Sequence, residues 1–183
     1  MVGDSIARNV PDLRGFENQA KGGETTRSLQ MRIANGHIKV GGFRVIVIHV
    51  GTNDIANGKT AEDIVFYYDN LIQAIRRQNQ TATLVVSAII PRWLDDGHTK
   101  PVIAKANQLL QRNADRKWAC LFLRSDKLFR FSGMVRKEFY QQDTLHLNVL
   151  GSKRLRDFVA TQTSKEQLRL KEECRKRCVR GDR

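Results

Sequence analysis

Cysteine is scarce in this chain: three in 183 residues, Cys120, Cys174 and Cys178. An odd, sparse set cannot build the disulfide framework of a small secreted domain and suits a reducing compartment. No apolar run approaches the roughly 18 residues that a membrane-spanning helix needs. Met1-Val2-Gly3-Asp4 lacks the charged and apolar regions of a signal peptide, so a cytoplasmic location is expected. Internal repeats and low-complexity linkers are absent. The four histidines, His37, His49, His98 and His146, show no metal-ligand spacing, and no metal or other cofactor is expected. Gly22-Gly23 followed by Thr25 lacks the Gly-Lys-Ser/Thr ending of a phosphate loop. Acidic residues are also in deficit, 19 against 32 Lys and Arg, giving a net charge of +13.

That charge is spread along the chain. Residues 165–183 hold eight Lys or Arg against four Asp or Glu, leaving +9 on the first 164. Such a surface attracts polyanions, with RNA and anionic membrane as the candidate partners, although a basic protein can also be simply well solvated. With 40% hydrophobic and 28% charged residues the composition is that of a globular domain. A chain of this length buries about 70% of its unfolded surface in one domain.

Phe43 to Val50 is a nearly continuous β-branched run, as a strand buried on both faces requires. Thr83 to Ile90 repeats the pattern, and Trp118 to Leu123 is a third, shorter run. Between them Ile64, Tyr68, Leu71, Ile72 and Ile75 line one helical face, and Ile103, Ala106, Leu110 and Ala114 another, with Pro101 near the first turn. Thr25 or Thr26 can cap a helix through Leu29 and Ile33 that ends near Asn35-Gly36. A further helix runs from about Leu150 through Leu155, Phe158 and Val159. Alternating strands and helices imply a parallel α/β sheet, whose ligands bind at the carboxyl ends of strands. The chain becomes polar and charged after Thr163, so a domain is expected over 1–162 and a basic tail over 163–183. Only Met1 and Val2 precede the first turn, whereas strands run about 5–6 residues. A fragment of a longer protein, with its first strand cut short, is expected.

Four short segments carry chemistry. Gly3-Asp4-Ser5 places a hydroxyl in a turn at the start of the chain. Asp143-Thr144-Leu145-His146 pairs an imidazole, able to take and return a proton near neutral pH, with a carboxylate three residues away that can orient it. Gly23 has no side chain to keep its N–H from a substrate, and Asn53, in Gly51-Thr52-Asn53-Asp54, offers an amide at the end of the strongest strand. Each alone also reads as ordinary local structure: a turn and cap at Ser5, a helix-capping His146, a loop at Gly22-Gly23, an Asx turn at Asn53-Asp54. Together and in this order they argue for a serine acyl-hydrolase, which needs a nucleophile, a base, an orienting group and oxyanion donors. His49, inside an apolar strand, reads as a core histidine, and Cys174 and Cys178 as part of a solvated basic helix end.

On these four blocks the chain resembles the SGNH hydrolases, the GDSL-type lipase/esterase family, over roughly residues 2–160. The resemblance implies a flavodoxin-like three-layer sandwich with a parallel sheet of about five strands, the first of them central and truncated here. It also implies catalytic Ser5, Asp143 and His146, and an oxyanion hole from Ser5, Gly23 and Asn53. Gly3-Asp4-Ser5-Ile6-Ala7 approximates the elbow of an α/β-hydrolase as well, but position 5 leaves no room for the strands that fold places first. Gly3–Arg8, His49–Asp54 and Leu145–Asn148 followed by Gly151 are further similar to the esterase domain of retrotransposon-encoded proteins of animal genomes. The expected activity is cleavage of small acyl, acetyl or lipid-like esters through an acyl-enzyme. The alternative is an RNA- or membrane-associated module in which hydrolysis is vestigial.

Overall fold

The computed structural model describes residues 1–12, 15–94 and 97–180, with side chains followed as far as Lys165. Four parallel strands, β1 (Val2–Gly3), β2 (Val45–His49), β3 (Thr83–Ser87) and β4 (Leu121–Leu123), form one sheet in the order β1-β2-β3-β4. The pairing sets Gly3 opposite His49, Val47 opposite Val85, and Val86 opposite Phe122. Both faces are covered. Side chains alternate along β2, so Ile46 and Ile48 enter one core while Val45 and Val47 enter the other.

The first core lies under α2 (Thr26–Ala34), α4 (Ala61–Gln78) and α5 (Thr99–Asn113). All five side chains expected on the α4 stripe, from Ile64 to Ile75, are buried. Thr25 caps α2 and Thr60 caps α4, each in a reciprocal capping box. The second core lies under α1 (Ser5–Arg8) and the start of α6 (Val149–Arg180), where Ile6, Val10, Leu155 and Val159 meet Val47 and Val85. Helix α6 passes the boundary expected at 163 without a break. The side chains of Cys174 and Cys178 lie outside the described residues.

Two expectations about strands need correction. Trp118 to Cys120 is not strand. The chain leaves α5 through a π-helical turn, Ala114–Trp118, because the Trp118 indole donates to Asp69 and its ring stacks on Tyr68. The assigned sheet also has four strands where about five were expected, with β1 at its end. The reason lies in residues 17–21. The Met1 amino group donates to the Glu17 carbonyl, Gln19 N–H to the Met1 carbonyl (2.9 Å) and Lys21 N–H to the Gly3 carbonyl (2.9 Å). This alternation is that of a parallel ladder, only partly formed. The segment occupies the place of a fifth strand and leaves β1 flanked on both sides.

Candidate active site

The register of the sheet gathers the four segments at one edge. Gly3 pairs with His49, so Ser5 emerges beside the segment that leads from β2 to Asn53. Lys21 is bonded to Gly3, so Gly23 lies two residues beyond on the other side. Gly3 is needed for this closeness: a Cβ there would lie 1.9 Å from the His49 carbonyl oxygen. The N–H of Asp4 donates to that same carbonyl at 3.1 Å. The Asp4 carboxylate accepts the Ile6 N–H at 2.9 Å and caps α1, placing Ser5 at the first helical position.

Ser5 Oγ is 2.8 Å from His146 Nε2, across 141 residues of chain. His146 Nδ1 is 2.6 Å from Asp143 Oδ2. An ionised carboxylate only accepts hydrogen bonds, so Nδ1 carries a proton, and in the neutral imidazole the Nε2 lone pair faces the hydroxyl. The other Asp143 oxygen accepts the N–H groups of Leu145 (3.1 Å) and His146 (2.9 Å). Burial is the largest single influence on the Asp143 pKa and pushes it up, but the bonds from the His146 ring and these two N–H groups together outweigh it and hold the carboxyl below its usual range. Thr144 sits at φ 65°, unusual for a β-branched residue. It is held there by Gln141 N–H on the His146 carbonyl, Thr144 N–H on the Gln141 carbonyl and Trp93 N–H on the Thr144 carbonyl.

Gly23 has φ +74° and no atom within 4 Å of where a Cβ would stand, so that side of the loop is open. Asn53 lies in the first turn of α3 (Thr52–Ala56), and its amide donates to the Glu24 carbonyl at 2.9 Å. One amide hydrogen suffices for that bond and a second is left over. Asp54 accepts both the N–H and the hydroxyl of Thr26, at 2.8 and 3.1 Å. Gly23 and Asn53 thus stand on two segments locked together through Glu24 and Thr26. Among the described residues no three His, Cys, Asp or Glu gather as metal ligands.

Sequence reasoning missed two buried polar groups next to this edge. Asp4 and Asp54 are both buried, and Asp4 Oδ2 has no hydrogen-bond partner. Burial pushes the Asp4 pKa up to about 7, against the Ile6 and Ala7 N–H groups and with the charge of Asp54 adding to it. Burial also raises Asp54, against its bonds to Thr26. Both aspartates stood inside the motifs; only their lack of a solvent-facing role could have flagged them. His49 is buried as expected, but it is also wired. Its Nδ1 meets Ser87 Oγ at 2.8 Å, Ser87 meets Ser125 Oγ at 2.8 Å, and Ser125 donates to the Ala88 carbonyl at 2.9 Å. With Ser125 donating onward, Ser87 must donate to Ser125 and His49 Nδ1 must donate to Ser87. Burial alone holds the His49 pKa down to about 4, and the ring is neutral at physiological pH. Ser87, which interrupts the apolar run from Thr83 to Ile90, and Ser125, just past the run that ends at Leu123, were the available signal.

The sequence model of the GDSL-like lipase/acylhydrolase family matches residues 1–154. The chain belongs to this family. Among curated proteins this GDSL-like chain is 34% identical over 90 residues to the platelet-activating factor acetylhydrolase IB subunit alpha2 of Rattus norvegicus, covering 49% of the chain and 38% of that protein. It is 26% identical over 130 residues to the alpha1 subunit of Bos taurus, covering 71% of the chain and 55% of the relative. The chain therefore spans about half or less of these relatives. A GDSL-like lipase from Bacteroides thetaiotaomicron superposes with a TM-score of 0.73 at 14% identity, over 90% of this chain and 86% of that one. A member of the lipolytic G-D-S-L family from Veillonella parvula gives 0.65 at 17% identity, over 87% and 94%. These likenesses establish the α/β fold with a parallel sheet flanked by helices.

Proposed function

We propose that this domain is a serine esterase acting on small acyl esters through an acyl-enzyme. The observation that carries the reading is the continuous chain Ser5 Oγ–His146 Nε2–Asp143, at 2.8 and 2.6 Å. Ser5 Oγ attacks the ester carbonyl carbon as Nε2 takes its proton. The carbonyl π electrons move to the oxygen, and Asp143 stabilises the resulting imidazolium. The N–H groups of Ser5 and Gly23 and the free hydrogen of the Asn53 amide receive the oxyanion. Collapse breaks the ester C–O bond, and the alcohol leaves with the proton from Nε2. Water, deprotonated by the same nitrogen, then attacks the acyl-Ser5 and releases the acid.

The acyl group is proposed to be short, acetyl among them, on a lipid-like alcohol. The likeness to acetylhydrolases of platelet-activating factor supports that class. A vestigial site serving an RNA- or membrane-bound module would be expected to have lost the Ser5–His146 contact, so the intact relay supports the active reading. The test is turnover of an aryl acetate by the unsubstituted chain and by Ser5→Ala. Turnover lost in Ser5→Ala, with unchanged circular dichroism, supports the assignment; turnover retained by Ser5→Ala rejects it.

A further inference from the structure

A short hairpin beside the site exposes what folding normally hides. Strands β5 (Arg130–Phe131) and β6 (Met134–Val135) pair antiparallel, Arg130 opposite Val135 and Phe131 opposite Met134. Ser132 and Gly133 turn between them at φ 46° and 82°, the left-handed conformations of a tight hairpin turn. Arg130 Nη1 donates to the Gly133 carbonyl at 3.1 Å and closes the loop. Opposed residues share a face, and Val135 packs against the second core. Phe131 and Met134 must then face outward, and they are 72% and 70% exposed. They border an open groove of about 560 Å³ lined also by Val135, Arg136, Lys137 and Glu138.

Cations rim this apolar tip. Arg136 lies 4.6 Å over the Phe139 ring and pairs with Glu138 at 2.6 Å, while the Lys137 ammonium stands 6.0 Å from the Trp93 ring. Trp93 leads to the active-site edge, since its N–H donates to the Thr144 carbonyl within the Asp143–His146 turn.

We propose that the Phe131–Met134 tip docks this domain on an anionic lipid surface. Two adjacent side chains on a narrow hairpin are far short of the ~1,600 Å² of a stable protein interface. They suit the boundary between headgroups and acyl chains, where an indole such as Trp93 also sits well. Arg136 and Lys137, on a chain of net charge +13, complement anionic headgroups. Nucleic acid would use the same cations but has no use for Met134. Only the kind of ester presented at the docked site rests on the esterase reading; docking does not.

The experiment therefore uses the full chain carrying Ser5→Ala, sedimented with vesicles of phosphatidylcholine alone or mixed equally with phosphatidylserine, at about 0.15 M salt. The chain is expected to bind the mixed vesicles. Adding Phe131→Ser and Met134→Ser is expected to weaken that binding at least about tenfold, since both apolar side chains lose their burial in the lipid. Lys137→Glu is expected to weaken binding to the mixed vesicles only. Thermal melts confirm folding, because both apolar side chains are already exposed. Failure of the Ser5→Ala chain to bind, or undiminished binding by the apolar double variant, overturns the proposal. So does an equal loss of RNA binding in that double variant, which assigns the tip to nucleic acid. A failed esterase assay leaves this test untouched.

Discussion

Ser5 and His146 reach one hydrogen bond from opposite kinds of surroundings. Ser5 is set between Asp4 at 0% and Ile6 at 2% exposure, in a turn that no residue larger than Gly3 permits. Asp143 and His146 keep 47% and 29% of their side chains exposed, and their turn is shaped by its own backbone hydrogen bonds around the left-handed Thr144. The proposed nucleophile is positioned by the core and the proposed base by a loop. Where a site is built this way, the loop side should tolerate change by degrees, because water can replace part of what it supplies. The core side should not.

Substitutions can break that contrast. His146→Ala should have the largest effect, on the order of a 10⁴-fold loss of kcat for an aryl ester, because among the described residues no other base is hydrogen-bonded to Ser5 Oγ. Asn53→Ala should follow, lowering kcat by about 10²–10³ with KM little changed, since an oxyanion donor acts only as charge develops. A raised KM with intact kcat would move Asn53 to substrate binding. Asp143→Asn should cost less, on the order of 10², below the roughly 10⁴ of a buried orienting carboxylate. Equal losses from Asp143→Asn and His146→Ala would show that exposure confers no tolerance.

The smallest effect sharpens the buried side. The Asp4 pKa is raised to about 7, so below that pH the folded state keeps a proton that the unfolded chain releases from about pH 4 upward. Asp4 thus makes stability fall between about pH 4 and 7. The His49 pKa is lowered to about 4, so the unfolded chain holds the extra proton up to about pH 6.5, and His49 makes stability rise over most of the same window. In the unsubstituted chain the two slopes oppose. Asp4→Asn, which keeps the cap oxygen, should make the melting temperature climb more steeply from pH 4 to 6.5. His49→Gln should tilt it the other way. Parallel pH profiles for all three chains would mean that neither group titrates as its burial implies.

What the sequence disclosed and what it withheld divide along the same physical line. The β2 run, the α4 stripe and the α2 cap are local patterns: β2 lies within the expected run from Phe43 to Val50, the stripe from Ile64 to Ile75 is buried, and of the two expected caps, Thr25 and Thr26, it is Thr25 that caps α2. The site segments were legible because each is a few residues long and falls at a strand end or helix start. Residues 17–21 were not legible, because Glu17-Asn18-Gln19-Ala20-Lys21 has no apolar rhythm and takes its extended form from Met1 and Gly3. Nor could spacing reveal the Asp54–Thr26 lock, the His49–Ser87–Ser125 chain or the indole bond that ends α5. Those links join residues 28 to 49 positions apart.

The central claim is that His146, held by Asp143, activates Ser5. Reaction with a fluorophosphonate, followed by peptide mass mapping, tests it most directly, because the reagent couples only to an activated hydroxyl. One adduct is expected, on the peptide that carries Ser5, absent from Ser5→Ala and formed far more slowly in His146→Ala. An adduct on another serine, no adduct at all, or labelling of Ser5 at the same rate without His146 would contradict it.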